Sequence, residues 1–151
     1  MKQDRDSLEV SYARTVLPLA RKWRAAADRA LAGNDMSAAV GWVLIQVGRL
    51  GDDVRQIDLA SELDISGASL ARSVDRLVAT GLVERHADPE DGRVNRIRLT
   101  EKGATRLETI EAALAEVRRG LLAGLSDSDL ARAVEVSRYV ASAFDRTDNG
   151  R

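Results

Sequence analysis

The feature that most constrains the fold of this sequence is a pair of short helical patterns followed at once by a hairpin pattern. Residues 56–63 and 67–80 each carry apolar side chains at helical spacing, and a tight turn separates them. Ser66 is a favoured N-cap for the second helix, and residues 80–81, Thr-Gly, form a natural C-cap. Two short helices joined in this way predict a helix-turn-helix.

The hairpin pattern begins directly after the second helix. The runs LVERH (82–86) and VNRIRLT (94–100) alternate apolar with polar residues, which is typical of half-buried strands. The intervening loop ADPEDGR (87–93) contains Pro, Asp and Gly, the residues that reverse a chain. A helix-turn-helix followed by a β-hairpin predicts a winged helix-turn-helix with a charged wing tip.

Four longer helical patterns surround this segment. They cover residues 8–31, 37–50, 101–123 and 126–144, with apolar residues at steps of three and four. The predicted fold is therefore mainly α with a small β-hairpin wing: a winged helix-turn-helix plus long dimerisation helices. The terminal helices have more apolar face than a winged-helix core could cover, so the sequence predicts a partner subunit.

The helix 101–123 carries the clearest dimerisation signal, because its apolar residues step 3-4-3-4 as in a heptad seam. Residues 1–34 and 101–151 are assigned to a helical dimerisation region, and residues 35–100 to a DNA-binding region, within one compact chain. The predicted dimer contacts are Leu8, Tyr12, Leu107, Ile110, Leu114, Val117, Leu121 and Phe144.

Composition limits the remaining classes of protein. The chain has 151 residues and no cysteine, which excludes disulfides and thiolate metal sites. The N-terminus has no apolar targeting segment and no run approaches membrane-spanning length, so we expect a cytoplasmic protein with no membrane contact. The net charge is −1, although 20 of the 23 basic residues are arginine. Any DNA-binding function must therefore follow from where the arginines lie.

The chain resembles the MarR family of bacterial transcription regulators, and within it the SlyA-like subgroup. The segment QIDLASELDISGASLARSVDRLVATGLVERHADPEDGRVNRIRLTEKG (56–103) is similar to that family's winged helix-turn-helix, and LARKWRAAADRAL (19–31) to the SlyA-like first helix. The resemblance implies an obligate homodimer with intertwined terminal helices. It also implies binding to pseudo-palindromic double-stranded DNA and frequent release by small aromatic acids.

Two departures from the family pattern stand out. The wing tip reads Asp91-Gly92-Arg93, where the family commonly has Asp-Arg-Arg, so one wing arginine is missing. In the second helix the family's aromatic residue aligns with Gly41, and Trp42 follows one position later. A shift of one residue turns a side chain about 100° around a helix.

Four polar side chains are placed on the helix face opposite the apolar stripe: Ser69, Arg72, Ser73 and Arg76. A helix fits the major groove, where arginine donates two hydrogen bonds to guanine. Serines and helix N-terminal amides bind phosphates. A solvated surface is the alternative interpretation, and the flanking turn and wing favour DNA. The predicted DNA contacts are Ser66, Ala68, Ser69, Arg72, Ser73, Arg76, Asp91, Arg93 and Arg96.

Within the wing, the resemblance assigns Arg93 to the minor groove. Asp91 lies two residues before it, and we expect this carboxylate to hold the guanidinium in one orientation. A surface ion pair is the alternative. Arg96 alternates with Arg98 along one strand face, which favours phosphate or solvent contact.

The family places its effectors in a crevice where the first two helices meet the recognition helix. Trp23 and Trp42 would supply apolar walls there, and Arg24 and Arg72 would bind a carboxylate. The predicted effector is a small phenolic or aromatic carboxylate. Burial of both tryptophans in the core is an equally favoured interpretation.

Other classes of function find less support. A winged helix that binds proteins is the main alternative, and the small net charge permits it. The sequence shows no nucleophile–base pair, phosphate loop or metal-ligand spacing, so we expect neither an enzyme nor a cofactor. The single histidine, His86, is interpreted as a surface residue of the wing. The carboxylates at 52–53 and 88–91 lie in turns, where Asp is common, so we predict no metal.

Overall fold

The computed structural model describes residues 4–51 and 53–148. Their elements are α1 (Arg5–Ala32), α2 (Ala38–Leu50), β1 (Val54–Arg55), α3 (Gln56–Leu63), α4 (Gly67–Ala79), β2 (Val83–Ala87), β3 (Asn95–Leu99), α5 (Glu101–Leu122) and α6 (Asp127–Asp148). The chain divides near residue 117 into a larger unit before it and a smaller one after it. The predicted fold class, mainly α with a small β wing, is confirmed.

The core of the larger unit lies between α2, α3, α4 and the sheet. Its fully buried side chains include Leu44, Leu59, Leu70, Leu77 and Ile97. Burying a side chain of this size contributes roughly 1.5–3 kcal/mol. Because the apolar stripe of α4 is held in this core, the opposite face of α4 must point outward.

The boundaries of α4 follow from local chemistry. The Ser66 side chain accepts a hydrogen bond from the Ser69 amide at 3.2 Å, which confirms the predicted N-cap. Asp64 takes a left-handed conformation with φ 50° between α3 and α4. Gly81, with φ 72°, ends the turn after α4, where a residue without a Cβ is least strained.

The hairpin is part of a three-stranded antiparallel sheet in the order β1-β3-β2. Val83 pairs with Leu99 and Ala87 with Asn95, so the two alternating runs form the predicted hairpin. The two-residue strand β1 pairs Val54 with Ile97 and was not predicted. Two residues are too few to show a period, so β1 is visible only from its pairing with β3.

The start of α5 is bonded to the end of α4 by what we call the α4–α5 clasp, residues 80–82 with 100–103. The hydroxyl of Thr100 donates to the Gly81 carbonyl at 2.7 Å and accepts from the Gly103 amide at 2.9 Å. Lys102 Nζ donates to the Thr80 carbonyl at 2.8 Å. A Cβ at Gly103 would overlap the carbonyl oxygen of Leu82, so only glycine fits there.

The apolar stripe of α5 is largely covered by its own chain. Ile110 is 1% exposed and Leu114 5%, and both belong to the core. Leu107 packs against that core beside Gly48. The prediction that Ile110 and Leu114 form a dimer seam was wrong, because heptad spacing identifies an apolar stripe without identifying what covers it.

The long helix α1 is covered only near its end, where Ala27 and Leu31 are buried. Its first twenty residues are exposed, including two predicted dimer contacts, Leu8 and Tyr12. In the smaller unit, Ser126 precedes α6 and Asp129 lies in its first turn. Their side chains each accept a hydrogen bond from the other's amide. Within the described ranges, no helix combines the length and apolarity needed to cross a membrane.

Candidate nucleic-acid interface

The outward face of α4 presents polar and cationic groups. Ser66, Ala68, Arg72 and Arg76 are exposed, and Ser69 is half-buried. Arg72 makes one long hydrogen bond, from Nη2 to the Ser69 hydroxyl at 3.4 Å. In the described parts of the chain, the Arg76 guanidinium has no hydrogen-bond or ion-pair partner. Both arginines are thus available to an external acceptor.

Ser73 does not lie on this face. It is only 7% exposed, although it was predicted to contact DNA. Ser73 follows Leu70 by three residues and directly precedes Val74, and both neighbours are fully buried. Helical spacing therefore puts it with the apolar stripe, and its assignment to the outer face from polarity alone was wrong.

The wing loop, residues 88–94, has a defined backbone. The Asp88 amide donates to the Val94 carbonyl at 2.8 Å, and the Val94 amide donates to the Asp91 carbonyl at 2.9 Å. The Asp88 carboxylate accepts from the amides of Glu90 at 2.8 Å and Asp91 at 3.3 Å. The Glu90 amide first, and then the Arg96 guanidinium, lower the pKa of Asp88 to about 2.

Arg96 is half-buried and is bonded within the wing. Its Nε lies 2.7 Å from Asp88 Oδ2, and its Nη1 donates to the Asp53 carbonyl at 2.8 Å. Two of its nitrogens are thus bonded within the protein, and the predicted contact of Arg96 with DNA stays a prediction. Strand alternation predicts the face of the sheet on which Arg96 lies, but it does not show that the carboxylates of Asp88 and Asp53 lie on the same face.

Asp91 also has a different partner from the one predicted. Its Oδ1 accepts from the backbone amide of Arg93 at 3.0 Å and does not contact the Arg93 guanidinium. Arg93 is exposed, and among the described residues nothing pairs with its guanidinium. Asp91 therefore shapes the backbone of the tip while the Arg93 side chain stays free.

The remaining strand arginines of the wing are paired. Arg85 Nη2 lies 2.6 Å from Asp75 Oδ1 on α4, and Arg98 Nη2 lies 2.8 Å from Glu84 Oε2. His86 is half-buried on β2, with Nε2 2.7 Å from Asp53 Oδ1. Over the ranges described, no cluster of three metal-ligating side chains occurs; residue 52, one of the carboxylates considered, lies outside them.

The four residues predicted to bind an effector are only partly brought together. The Arg24 guanidinium lies 4.3 Å from the centre of the Trp42 ring. Asp28, which the sequence analysis missed, accepts from Trp42 Nε1 at 2.7 Å and from Arg24 Nε at 3.1 Å. Its position four residues after Arg24 was the available signal. Trp23 is 37% exposed on α1, and Arg72 bonds to Ser69 on its own helix. The pair formed by Arg24 and Trp42 is therefore the part of the predicted site that the structure brings together.

A cavity of about 870 Å³ lies elsewhere in the larger unit. The α1–α2 turn, the end of α4 and the start of α5 line it. Its walls include apolar Met36 and Val40, the basic residues Arg76, Lys102 and Arg106, and the acidic residues Asp35 and Glu101. The cavity thus joins an apolar wall to cationic groups, one of which is also exposed on the outer face of α4.

The fold and this surface define a winged helix-turn-helix protein. A MarR family profile matches residues 34–94. The transcriptional regulator PA3341 is 33% identical over 89% of this chain and 98% of its own, with a TM-score of 0.79. The chain belongs to the MarR family, whose members are transcription regulators and not enzymes.

Two further solved structures are similar. A mutant MarR from E. coli, complexed with operator DNA, is 25% identical over 91% of this chain and 98% of its own, with a TM-score of 0.73. The MarR family transcription regulator SP03579 has a TM-score of 0.82 at 19% identity, covering 97% of this chain and 96% of its own, and it shows the fold alone.

Proposed function

We propose that this chain is a homodimeric transcription regulator that binds a pseudo-palindromic operator. In this proposal α4 enters the major groove and the wing loop the minor groove. One observation carries it: Arg72, Arg76 and Arg93 present guanidinium groups without an ion-pair partner among the described residues. On the strands of the wing, Arg85, Arg96 and Arg98 are all committed to carboxylates.

The N-terminal half of α4 is the proposed base-reading surface. Arg72 lies near the middle of the exposed face, and a guanidinium there reaches guanine O6 and N7 through two parallel hydrogen bonds. Ser66, Ala68 and Ser69 lie at the first turn, where amides and hydroxyls bind phosphates. Arg76, one turn further on, completes the basic face.

Arg93 is the proposed minor-groove residue. An arginine is drawn into the groove where A·T-rich sequence narrows it and strengthens its negative potential. The tip holds a single free arginine, because Gly92 stands where the family commonly has another. We therefore expect the wing to contribute affinity through one contact and to prefer A·T-rich flanks.

The MarR of E. coli has been solved with operator DNA, and relationship to it supports DNA as the partner. The exposed apolar side chains Leu8, Tyr12, Leu121 and Phe144 support a dimer through the regions 1–34 and 101–151. Residues 35–100 would then bind DNA. A cytoplasmic location and membership of the SlyA-like subgroup form part of the same proposal.

We also propose regulation by a small phenolic or aromatic carboxylate, bound in the cavity beside Arg76. Lys102 and Arg106 already donate to the carbonyls of Thr80 and Asn34, whereas the Arg76 guanidinium is free in the described structure. A carboxylate bound to Arg76 would withdraw it from DNA. Operator DNA must then weaken effector binding by the same factor.

The test begins with selection of a duplex by the protein from a randomised library of about 30 base pairs, three helical turns. Arg72→Ala should weaken binding to the selected duplex by about 1–3 kcal/mol and relax the preference at one base position. Arg132→Ala is the control, because it removes the same charge from an exposed ion pair on α6. Fluorescence anisotropy at fixed salt measures both affinities.

Three outcomes would revise the proposal. Failure to enrich any duplex would favour a winged helix that binds protein. Equal losses on selected and random DNA would make Arg72 a phosphate contact. Adding salicylate tests the effector separately: unchanged affinity for the selected duplex would reject that part alone.

A further inference from the structure

Asp88 is a buried carboxylate at the root of an exposed loop. Its side chain is 1% exposed, whereas Glu90 and Asp91 in the same loop are exposed. A buried charge is strongly unfavourable unless it is paired and hydrogen-bonded. The two amides of residues 90–91 and the Arg96 guanidinium supply those bonds. Asp88 thus fixes the path of the loop backbone.

The bonds of Asp88 reach beyond the loop. Arg96 lies on β3 and donates through Nη1 to the Asp53 carbonyl just before β1. Arg55 on β1 approaches Asp88 Oδ2 through Nε at 3.6 Å. The carboxylate therefore bonds the loop to two strands at once, and the loop cannot change its path without breaking these bonds.

The loop would otherwise be poorly ordered. It contains Gly92, which has no Cβ to restrict it, and each residue that becomes fixed loses conformational entropy. Arg93 directly follows that glycine, and its side chain is not anchored to any described residue. Its direction depends on the backbone, which Asp91 and Asp88 hold in turn.

We propose that Asp88, acting with Arg96, is a positioning residue that pre-orders the wing loop so that Arg93 enters the minor groove. This inference rests on the proposed function, in which Arg93 contacts DNA. Asp88 touches no DNA in this arrangement. It acts by removing, before binding, the entropy loss of ordering the loop.

The charge of Asp88 makes the proposal easy to separate from simple electrostatics. Neutralising a carboxylate near DNA should strengthen binding, because phosphates repel it. Loss of the positioning bonds predicts the opposite sign for Asp88→Asn. Glu90→Gln is the matched control, since it removes the same charge from the same loop and its carboxylate makes no hydrogen bond among the described residues.

The first experiment needs no DNA. Trypsin cleaves after Arg93, and the rate of this cleavage reports how often the loop opens, as followed by mass spectrometry. Asp88→Asn should raise the cleavage rate after Arg93 by about tenfold, because cleavage tracks the open population. Glu90→Gln should leave the rate unchanged. An unchanged rate in Asp88→Asn would overturn the proposal whatever the protein binds.

The second experiment is a double-mutant cycle on the library-selected duplex. Asp88→Asn and Arg93→Ala should each weaken binding by about tenfold, and the double variant should be no weaker than Arg93→Ala alone. Additive losses would show that Asp88 does not act through Arg93. No loss in Arg93→Ala would instead remove the wing contact from the proposed function, while the trypsin result would stand.

A second variant protects the test against misfolding. Arg96→Lys keeps the charge but not the planar fork that reaches both Asp88 and the Asp53 carbonyl. It should raise trypsin cleavage after Arg93 and weaken DNA binding in the same sense as Asp88→Asn. If Asp88→Asn fails to fold, wild-type cleavage and affinity in Arg96→Lys would overturn the proposal.

Discussion

Residues 5–24 of α1 and residues 101–117 of α5 carry the same kind of apolar pattern and have opposite surroundings. Ile110 and Leu114 of α5 are 1% and 5% exposed, whereas Leu8 and Leu19 of α1 are 47% and 56% exposed. Periodicity therefore predicts which side of a helix is apolar, and only contacts decide what covers that side. In α5 the cover is the chain itself, and in α1 no element of the described larger unit supplies it before Ala27.

Glycine marks the same contrast on one helix. Gly103 lies where α5 meets the backbone of Leu82, with no room for a Cβ. Gly120, near the end of the same helix, has no atom within 4 Å of an added Cβ. Of these two glycines, only Gly103 is closely approached by the backbone of another described segment.

The largest expected effect is at this approach. Gly103→Ala should lower the free energy of unfolding by at least about 3 kcal/mol, because rigid backbone must move to admit the methyl group. Gly120→Ala should change it by less than about 1 kcal/mol, in the stabilising direction. Urea unfolding followed by circular dichroism measures both free energies. Similar values for the two variants would contradict the difference in packing between Gly103 and Gly120.

The next largest effects are expected from two variants, one on α5 and one on α1. Ile110→Ala should lower the free energy of unfolding by about 2–4 kcal/mol, because it opens a cavity in the core. The same variant should keep the subunit association of the wild type. Tyr12→Glu should instead dissociate the proposed dimer, because a charge without a partner is unfavourable in an apolar interface.

Sedimentation at micromolar concentration, combined with urea unfolding, separates these two results. The proposed difference between a self-covered α5 and a partner-covered α1 is contradicted if Ile110→Ala dissociates the protein, or if Tyr12→Glu sediments like the wild type. The second result would also remove α1 from the proposed dimer interface.

The smallest expected effect is a change of stability with pH. It compares two carboxylates of the wing loop, the buried Asp88 and the exposed Asp91. The pKa of Asp88 falls from 3.8 to about 2 on folding, so its stabilisation is present above the unfolded value and is lost as the pH falls toward 2. The difference in unfolding free energy between wild type and Asp88→Asn should be constant above about pH 5 and shrink below about pH 4.

Urea unfolding at a series of pH values measures that difference, with Asp91→Asn as the control. Asp91→Asn removes an exposed carboxylate from the same loop, so it controls for the loss of charge alone. A difference for Asp88→Asn that stays constant to about pH 3 would contradict the low pKa.

Much of the fold was predictable because local signals agree with it. Ser66, Thr100 and Ser126 cap helices as their residue types indicate, and the alternating runs form the predicted hairpin. The two-residue strand β1 and the burial of the α5 stripe were not predictable, because both depend on contacts distant in sequence. Local pattern carries no information about such partners.

The candidate interface divides in the same way. Arg72, Arg76 and Arg93 lie exposed where the pattern predicted them, although their contacts with DNA stay predictions. Ser73 was misplaced because polarity was taken as exposure, and the internal bonds of Arg96 were not predicted. A buried hydroxyl and an arginine bonded to Asp88 and to the Asp53 carbonyl both look like surface residues in a sequence.

The α4–α5 clasp couples the orientation of α4 to that of α5. Because residues 80–82 are bonded to residues 100–103, a tilt of α5 at this joint must carry α4 with it. The 13 residues of α4 extend about 20 Å from the joint. A tilt of about 5° would thus move the first turn, with Ser66 and Ser69, by about 1.7 Å over that length. A hydrogen bond of about 2.9 Å does not survive such a displacement, so in the proposed function a rotation of this size would disturb the contacts of α4 with DNA.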